Sequence, residues 1–385
     1  MRFSLYHPWI YVQGGVERVL VELLARSRHQ WTIYTHHLDR AATFPELSGP
    51  EVVELDPRVS VERSLLPLIA ASARIAAHRL PDDGSRALLV SSEGLGDFVV
   101  ARNRLPVACF CHTPLKILFD PTARSRLRDD APWKARALAV LGPAFAAADR
   151  AAWRRYRHIF VNSNEVARRV VAARLADHHR LEVLHPGVDT DRFSPPDPAE
   201  RRRSDLLVAG RIMWQKRIDL AIDAFRLVHR RVPDSRLVVA GHVDEKSRDH
   251  LRSLQSRAEG LPVEFVINPD DPALVGLYRS ATALVFTAPS EDWGIVPLEA
   301  MSCGTPVIAP DGGGPRESVI HGRTGWLVRP EPEAFAERME VCLTAGVDLD
   351  PFRQAARDRA AEFGWDGFVE RIDDVMEGLA SPLRR

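Results

Sequence analysis

Short apolar runs alternate with amphipathic helical stretches along this chain, stop at a proline-rich segment, and start again. In the first half, residues 2–6, 31–35, 87–91, 107–111, 158–162 and 181–184 read as strands. A further strand is expected at 59–61. Residues 16–28 carry Val16, Val19, Leu20, Leu23 and Leu24 on one side, which is the period of a helix. Helices are also expected at 65–79 and 165–175, and a long helical region from 123 to 157, broken near Gly142-Pro143. The polar stretch from His185 to Pro198 then interrupts the pattern. Strands follow at 206–209, 236–240, 263–267, 284–286 and 307–309, with helices at 217–231, 273–280, 333–345, 351–362 and 365–379. Buried strands alternating with helices give α/β domains with parallel sheets. The chain is expected to form two Rossmann-like, doubly wound domains facing a cleft. Their bounds are 1–187 and 205–363, with a linker at 188–204 and a C-terminal helix at 364–385 packing back toward the first domain.

In open α/β sheets, ligands bind beyond the carboxyl ends of the strands. The stretch from Ala281 to Met301 supplies such a place: an apolar strand, a turn-rich loop from Pro289 to Gly294, then a helix that admits Pro297 in its first turn. A helix N-terminus favours an anion. Glu291 lies in the loop and Glu299 in the helix. In the run Gly210 to Arg217, after the first strand of the second half, Arg211 and Lys216 can supply a forked and a point cation to a phosphate. Taken singly, these are also what solvated basic residues and surface glutamates look like.

Charge and cysteine content narrow the class. Lys and Arg number 52, as do Asp and Glu, yet residues 101–180 hold 16 basic against 6 acidic side chains, a net of +10. That excess suits phosphate or an anionic membrane, or is no more than arginine-rich solvated helix faces. Within it, the run from Asp149 to Arg157 mixes Arg150, Arg154, Arg155 and Arg157 with Trp153 and Tyr156, as an interfacial helix does. The apolar run 135–148 is too short to span a bilayer. Cys109, Cys111, Cys303 and Cys342 have no zinc spacing and read as buried thiols. With no signal peptide at the start, a cytoplasmic protein is expected, peripheral at the inner face of the membrane if the basic segment docks there. Asp189-Thr190-Asp191 and Asp348-Leu349-Asp350 match a metal-binding D-x-D but sit where turns or caps do, so no metal is expected. Asp311-Gly312-Gly313-Gly314 lacks dinucleotide-loop spacing. Ser163 is expected to cap a helix. No nucleic-acid partner is expected.

The pattern Glu291-x7-Glu299 followed by Ala300-Met301-Ser302-Cys303-Gly304-Thr305-Pro306-Val307 resembles the retaining glycosyltransferases of family 4, which have the GT-B fold. Gly312-Gly313-Gly314-Pro315-x-Glu317, Gly322-x-Thr324-Gly325, Gly14-Gly15-Val16-Glu17-Arg18 and His185-Pro186-Gly187-Val188-Asp189 are similar to that family too. The runs from Cys111 to Lys116 and from Asp292 to Glu299 look most like mannosyltransferases that use GDP-mannose. The start, through Tyr34-Thr35-His36-His37, is similar to the α-1,3/1,6-mannosyltransferase of lipid-linked oligosaccharide assembly. The resemblance implies that Arg211 and Lys216 bind the donor diphosphate and that Glu299 binds the ribose diol. It implies that Glu291 and the backbone of Gly294, Ile295 and Val296 meet the transferred sugar. Gly14 and Gly15 would let a loop approach the phosphates, and His112 would face the sugar from the acceptor side. One departure is Asn268-Pro269-Asp270-Asp271, where many relatives have a glycine, which puts the base contacts in doubt. The implied function is metal-independent, retaining transfer of a hexose from a nucleotide-diphosphate sugar, GDP-mannose favoured, to a glycan or lipid-linked acceptor, without a cofactor. A UDP-sugar donor, an epimerase of the same fold and a non-catalytic nucleotide-sugar binder are the alternatives.

Overall fold

Every strand in two sheets pairs in parallel, and inner strands such as Leu88–Ser92, Val107–Cys111 and Asp205–Ala209 are buried at every position, as strands covered on both faces are. The structure is a computed structural model and describes residues 1–61, 65–197, 205–344 and 347–381. The tail of the expected linker, residue 345 of the expected helix 333–345 and residues 382–385 of the C-terminal segment lie outside the described residues.

The chain divides into two units, residues 1–185 with 366–385, and residues 186–365. The first runs β1 (Arg2–Tyr6), α1 (Gly15–Arg26), β2 (Gln30–Thr35), β3 (Val52–Glu54), α2 (Leu65–Ala77), β4 (Leu88–Ser92), β5 (Val107–Cys111), α3 (Lys116–Phe119), α4 (Pro121–Asp130), α5 (Pro132–Trp153), β6 (His158–Val161), α6 (Asn164–Ala172) and β7 (Leu181–Val183). The second runs β8 (Asp205–Ala209), α7 (Ile218–His229), β9 (Arg236–Gly241), α8 (Arg248–Arg257), β10 (Val263–Ile267), α9 (Asp271–Ser280), β11 (Ala283–Val285), α10 (Ile295–Ser302), β12 (Val307–Pro310), α11 (Pro315–Ser318), β13 (Gly325–Val328), α12 (Pro332–Leu343) and α13 (Asp350–Ala361). A last helix, α14 (Trp365–Ala380), returns to the first unit. There Phe368 packs edge-on to Phe110 at 5.2 Å, and buried Asp373 accepts from Ser27 Oγ at 2.6 Å and from the Arg28 amide at 3.0 Å.

The sheets are ordered β3-β2-β1-β4-β5-β6-β7 and β10-β9-β8-β11-β12-β13. In both, the order reverses beside the unit's first strand, between β1 and β4 and between β8 and β11. Such a switch point opens a crevice at the strands' carboxyl ends. The strand period of two divides the second sheet between two cores. Leu206 and Val208 enter one with Phe225 of α7 and Phe335 of α12. Leu207 and Ala209 enter the other with Tyr278 of α9, Leu298 of α10 and Ala356 of α13.

Four expectations fail locally. The third strand is 52–54, in register with β2 through Ile33 and Val52, and not 59–61; Val59 is buried but only returns an amide bond to His36 O. The long helical region breaks at Ala131, not at Gly142-Pro143. Ala131 precedes a proline and takes φ −152°, ψ 75°. Pro143 remains inside α5 on its exposed side. Helix α8 appears where no helix is expected, held by Leu254, its one buried residue. Trp153 and Tyr156 are core residues, 0% and 2% exposed, so the run from Asp149 to Arg157 is no interfacial helix.

Candidate active site

The second unit's switch point collects most of the expected donor residues. Strand β8 is followed by Gly210, which has φ +123° and sits under the end of β9. A Cβ on neighbouring Gly241 would fall 1.7 Å from Gly210 O. The loop therefore leaves the sheet in a shape closed to side chains. Arg211 follows directly. Its side chain is exposed and makes no ion pair or hydrogen bond among the described residues. A Cβ on Gly210 would lie 3.8 Å from Val296 Cγ2, which puts this loop against the first turn of α10.

Lys216 closes the same loop. Its carbonyl accepts from Thr287 Oγ1 at 2.8 Å, and its Nζ reaches Glu291 Oε2 at 2.7 Å. Each of these two charged side chains keeps about a fifth of its surface in solvent: 20% and 21%. The ring of Phe286 lies 5.6 Å below the ammonium. Glu291 in turn is fixed through its backbone. Its carbonyl accepts from Gly314 N at 3.0 Å, and a Cβ on Gly313 (φ +63°) would stand 2.6 Å from it. The glycine run 312–314 is thus a support for the Glu291 loop.

Gly294 begins α10 at φ +86° and offers no side-chain cap, so the first-turn amides of Ile295 and Val296 are left to a ligand or solvent. Glu299 lies one turn in. Its Oε2 accepts from Tyr278 Oη at 2.7 Å. Tyr278 is fully buried, and burial first, then the Glu299 charge, raises its phenol far above the ordinary range, so it stays a donor. Nothing in the sequence marks Tyr278 as a site residue, because α9 places it among core positions. Trp293, also buried, donates to Pro186 O at 3.0 Å.

His112, Gly14 and Gly15 belong to the first unit. Gly14 caps α1 without a side chain, and Gly15 is the first helical residue. His112 follows β5 and is 6% exposed. Its Nε2 shares a 2.9 Å hydrogen bond with Ser91 Oγ of β4, which lies 3.0 Å from His7 Nδ1 at the end of β1. Its carbonyl accepts from Asn162 Nδ2 at 3.0 Å. Burial, seconded by His7, lowers the His112 pKa to about 3 against the opposing pull of Glu93, so the ring is a neutral hydrogen-bonding group. Nothing in the sequence marks His7 and Ser91 as its partners beyond their place at the ends of strands flanking the switch point.

Both D-x-D runs are turns: Asp189 Oδ1 accepts from the amides of Asp191 and Arg192, and Asp348 Oδ1 from that of Asp350. Among the described residues no three His, Cys, Asp or Glu side chains gather as a metal site needs. Ser163 Oγ caps α6 through the Val166 amide at 3.1 Å. Asn268 adopts φ +51°, and its Oδ1 accepts from the Val243 amide at 3.0 Å. No helix among the described residues is long and apolar enough to cross a membrane.

Sequence models of two families match adjoining parts of the chain: Glycosyltransferase Family 4 over residues 13–192, and Glycosyl transferases group 1 over 189–362. The chain belongs to the group 1, family 4 glycosyltransferases. The D-inositol 3-phosphate glycosyltransferase of Kribbella flavida is 32% identical over 287 residues, 70% of this chain and 65% of that one. The enzyme of that name from Frankia alni is 37% identical over 224 residues, 54% and 55% of the two chains. The one from Pseudarthrobacter chlorophenolicus is 33% identical over 219 residues, 54% and 52%. The matched region thus spans between about half and two thirds of these relatives' length. Sucrose-phosphate synthase from Thermosynechococcus elongatus superposes with TM-score 0.76 at 20% identity, covering 98% of this chain and 99% of that one. HepE of Anabaena, solved with UDP and glucose, gives 0.71 at 17%, covering 98% and 100%. At those identities the likeness is one of fold, two GT-B Rossmann-like domains.

Proposed function

We propose that this protein is a retaining glycosyltransferase that moves a hexose from a nucleotide-diphosphate sugar to a glycan or lipid-linked acceptor without a metal. GDP-mannose is the favoured donor. The observation that carries this reading is the meeting of Lys216 and Glu291 at the uncapped N-terminus of α10. A cation, a carboxylate and free helix amides in one place match what a sugar diphosphate presents: an anionic leaving group next to a polyol. As the bond from the anomeric carbon to the diphosphate oxygen breaks, negative charge gathers on that oxygen. Lys216, Arg211 and the first-turn amides are the groups that stabilise it. The acceptor hydroxyl then attacks from the face the diphosphate leaves, through a short-lived oxocarbenium-like ion pair, and gives its proton to the departing diphosphate oxygen. Glu299, held by Tyr278, takes the ribose hydroxyls, and Glu291 and the backbone at 294–296 take those of the sugar. Gly14, Gly15 and His112 are the first unit's contribution, with His112 as a neutral hydrogen-bonding partner of the sugar.

A second reading replaces the donor by a UDP-sugar and the acceptor by a phosphorylated cyclitol. It draws support from the names of the relatives at 32–37% identity and from the UDP and glucose bound by HepE. Thermal-shift measurements across GDP-mannose, UDP-glucose and UDP-N-acetylglucosamine separate the two, since a specific donor raises stability by RT ln(1 + [L]/Kd). Transfer assays with the stabilising donor follow, with and without candidate acceptors. Consumption of donor alone to an epimerised sugar, or tight binding with no turnover, overturns the transferase reading. In the active protein Arg211→Ala lowers turnover by about 10²–10³; turnover near wild type removes Arg211 from the leaving-group role.

A further inference from the structure

Helix α5 turns one side to the core and leaves an unusual one outside. Leu138, Gly142, Ala146 and Asp149 are buried, at the four- and three-residue steps of a helix face. On the opposite side Trp133, Val140, Ala144, Ala147 and Ala151 are exposed at the same spacing, with Trp133 at 68% and Val140 at 78%. Adjacent Leu141 is 43% exposed. These are among the most exposed large apolar side chains described in the chain. Beside them lies an apolar groove of about 220 Å³ between α2, α3 and α5, walled by Leu68, Leu118, Leu138, Leu141 and Phe145. Leu141 belongs to both, so the face and the groove are one apolar surface.

The charges around that surface are predominantly basic. From Ala131 to Ala148 the only charged residues are Lys134 and Arg136. Lys134 Nζ stands 5.4 Å from the centre of the Trp133 ring. On neighbouring α4, Arg124, Arg126 and Arg128 are exposed, as are Asp129 and Asp130; Arg126 pairs with Asp130 at 3.0 Å, so the helix and the start of α5 keep a net positive charge through Arg124, Arg128, Lys134 and Arg136 against Asp129. We propose that this face, the outer side of α5 with the arginines of α4, docks on an anionic lipid bilayer. A tryptophan and a valine on a helix flanked by lysine and arginine are what an in-plane interfacial helix uses: the apolar side enters the acyl boundary and the cations meet the headgroups. Each basic residue near such a surface adds to the binding, and salt screens it. Residues 121–148 carry Arg124, Arg126, Arg128, Lys134 and Arg136 against Asp129 and Asp130, so two copies of this face meet with like net charge, which disfavours a dimer built on it. The dock lies in residues 121–151, upstream of the Arg154–Arg157 cluster, whose aromatic neighbours are inside the core.

Flotation of the full chain with vesicles of phosphatidylcholine and phosphatidylglycerol tests this. The protein floats with the mixed vesicles, not with phosphatidylcholine alone, and high salt releases it. Trp133→Ser combined with Val140→Ser lowers the partition coefficient about tenfold or more, and Arg124→Glu with Arg128→Glu does the same. All four side chains are exposed, so melting curves stay at wild type; should the apolar pair misfold, the charge pair decides alone. Brominated acyl chains quench the wild-type tryptophan emission, and less so in the Trp133→Ser protein. Failure of the wild type to float with anionic vesicles, equal flotation of the folded variants, or a dimer in sedimentation that Trp133→Ser dissolves each overturns the proposal.

Discussion

Lys216 Nζ and Glu291 Oε2 are 2.7 Å apart, although 75 residues separate them in the chain. The pair joins the loop after β8 to the loop before α10, the two sides of the second unit's switch point. Both side chains are about four-fifths buried, so the attraction between them is offset by the hydration each gives up and the pair adds little net stability. In the proposed reaction the pair exchanges partners: an anionic ligand takes the ammonium and a hydroxyl takes the carboxylate. Lys216→Ala is expected to lower turnover by about 10²–10³ and, because it takes the ammonium from a mostly buried carboxylate, to lower the unfolding free energy by about 1–3 kcal/mol, which leaves the protein folded under assay conditions. Glu291→Gln keeps the shape and loses most of the activity as well. In the double variant the losses do not add, because the two residues act on one ligand. Kinetics on the four proteins of this cycle decide; strictly additive effects sink the shared role.

Tyr278→Phe isolates the support of Glu299. The hydroxyl donates to Glu299 Oε2 at 2.7 Å, and a hydrogen bond to a charged group is worth about 1.5–3 kcal/mol. Phe fills the same buried volume, so the core holds. The donor KM is expected to rise about tenfold while kcat falls less, since ribose binding is felt alike in ground and transition states. Binding of the nucleoside diphosphate alone weakens in parallel. A drop confined to kcat contradicts a role through the ribose.

How far the sequence reached depends on whether a feature is local. Strand runs such as Val107–Cys111, buried at every position, are legible because a parallel strand is apolar throughout. The motif residues Glu291, Glu299, Arg211 and Lys216 are legible from chemistry and resemblance. That Lys216 would touch Glu291 is not, because it depends on β8 and β11 being neighbours in the sheet. Tyr278 was hidden by its own burial: at helical spacing it reads as core, and its hydroxyl has meaning only once α9 lies beside α10. Trp153 and Tyr156 deceived in the opposite direction. Arginine among aromatics looks interfacial, yet the rings face inward and Tyr156 gives its hydroxyl to buried Asp97. Helix α8 was too polar to announce itself, with Leu254 alone buried.

The glycines behind Glu291 give a stability test with a kinetic reading. A Cβ on Gly314 would come within 2.1 Å of Trp293 O, and on Gly313, at φ +63°, within 2.6 Å of Glu291 O. Both obstacles are backbone, so the loop itself must shift. Gly314→Ala is expected to cost about 1–3 kcal/mol. It also loses activity beyond what the fraction unfolded explains, because the displaced segment carries Glu291. Denaturant unfolding run beside turnover measurements checks this, and an unaltered midpoint contradicts the packing described.

The state of His112 fixes a dependence on pH. Its imidazole pKa is lowered to about 3, chiefly by burial, whereas an unfolded histidine titrates near 6.5. As pH falls below about 6.5 the unfolded chain takes up a proton at this position and the folded chain does not. The His112 contribution to stability therefore drops as pH decreases from about 6.5 toward 3, by up to about 1.4 kcal/mol per pH unit. The raised carboxyls of buried Asp97 and Asp149 act in the opposite sense, so the sign is read from a difference between proteins. His112→Asn, which leaves a hydrogen-bonding group for Ser91, gains stability relative to wild type as the solution is acidified, and the gap closes above pH ~7. Activity of the wild type shows no limb near pH 6.5 from this residue, and the nitrogen-15 shifts of its ring stay constant from pH ~8 down to ~4.5. A titration of those shifts with a midpoint near 6.5 would mean that His112 is solvated and free to carry a charge, which removes it as the neutral partner of the sugar.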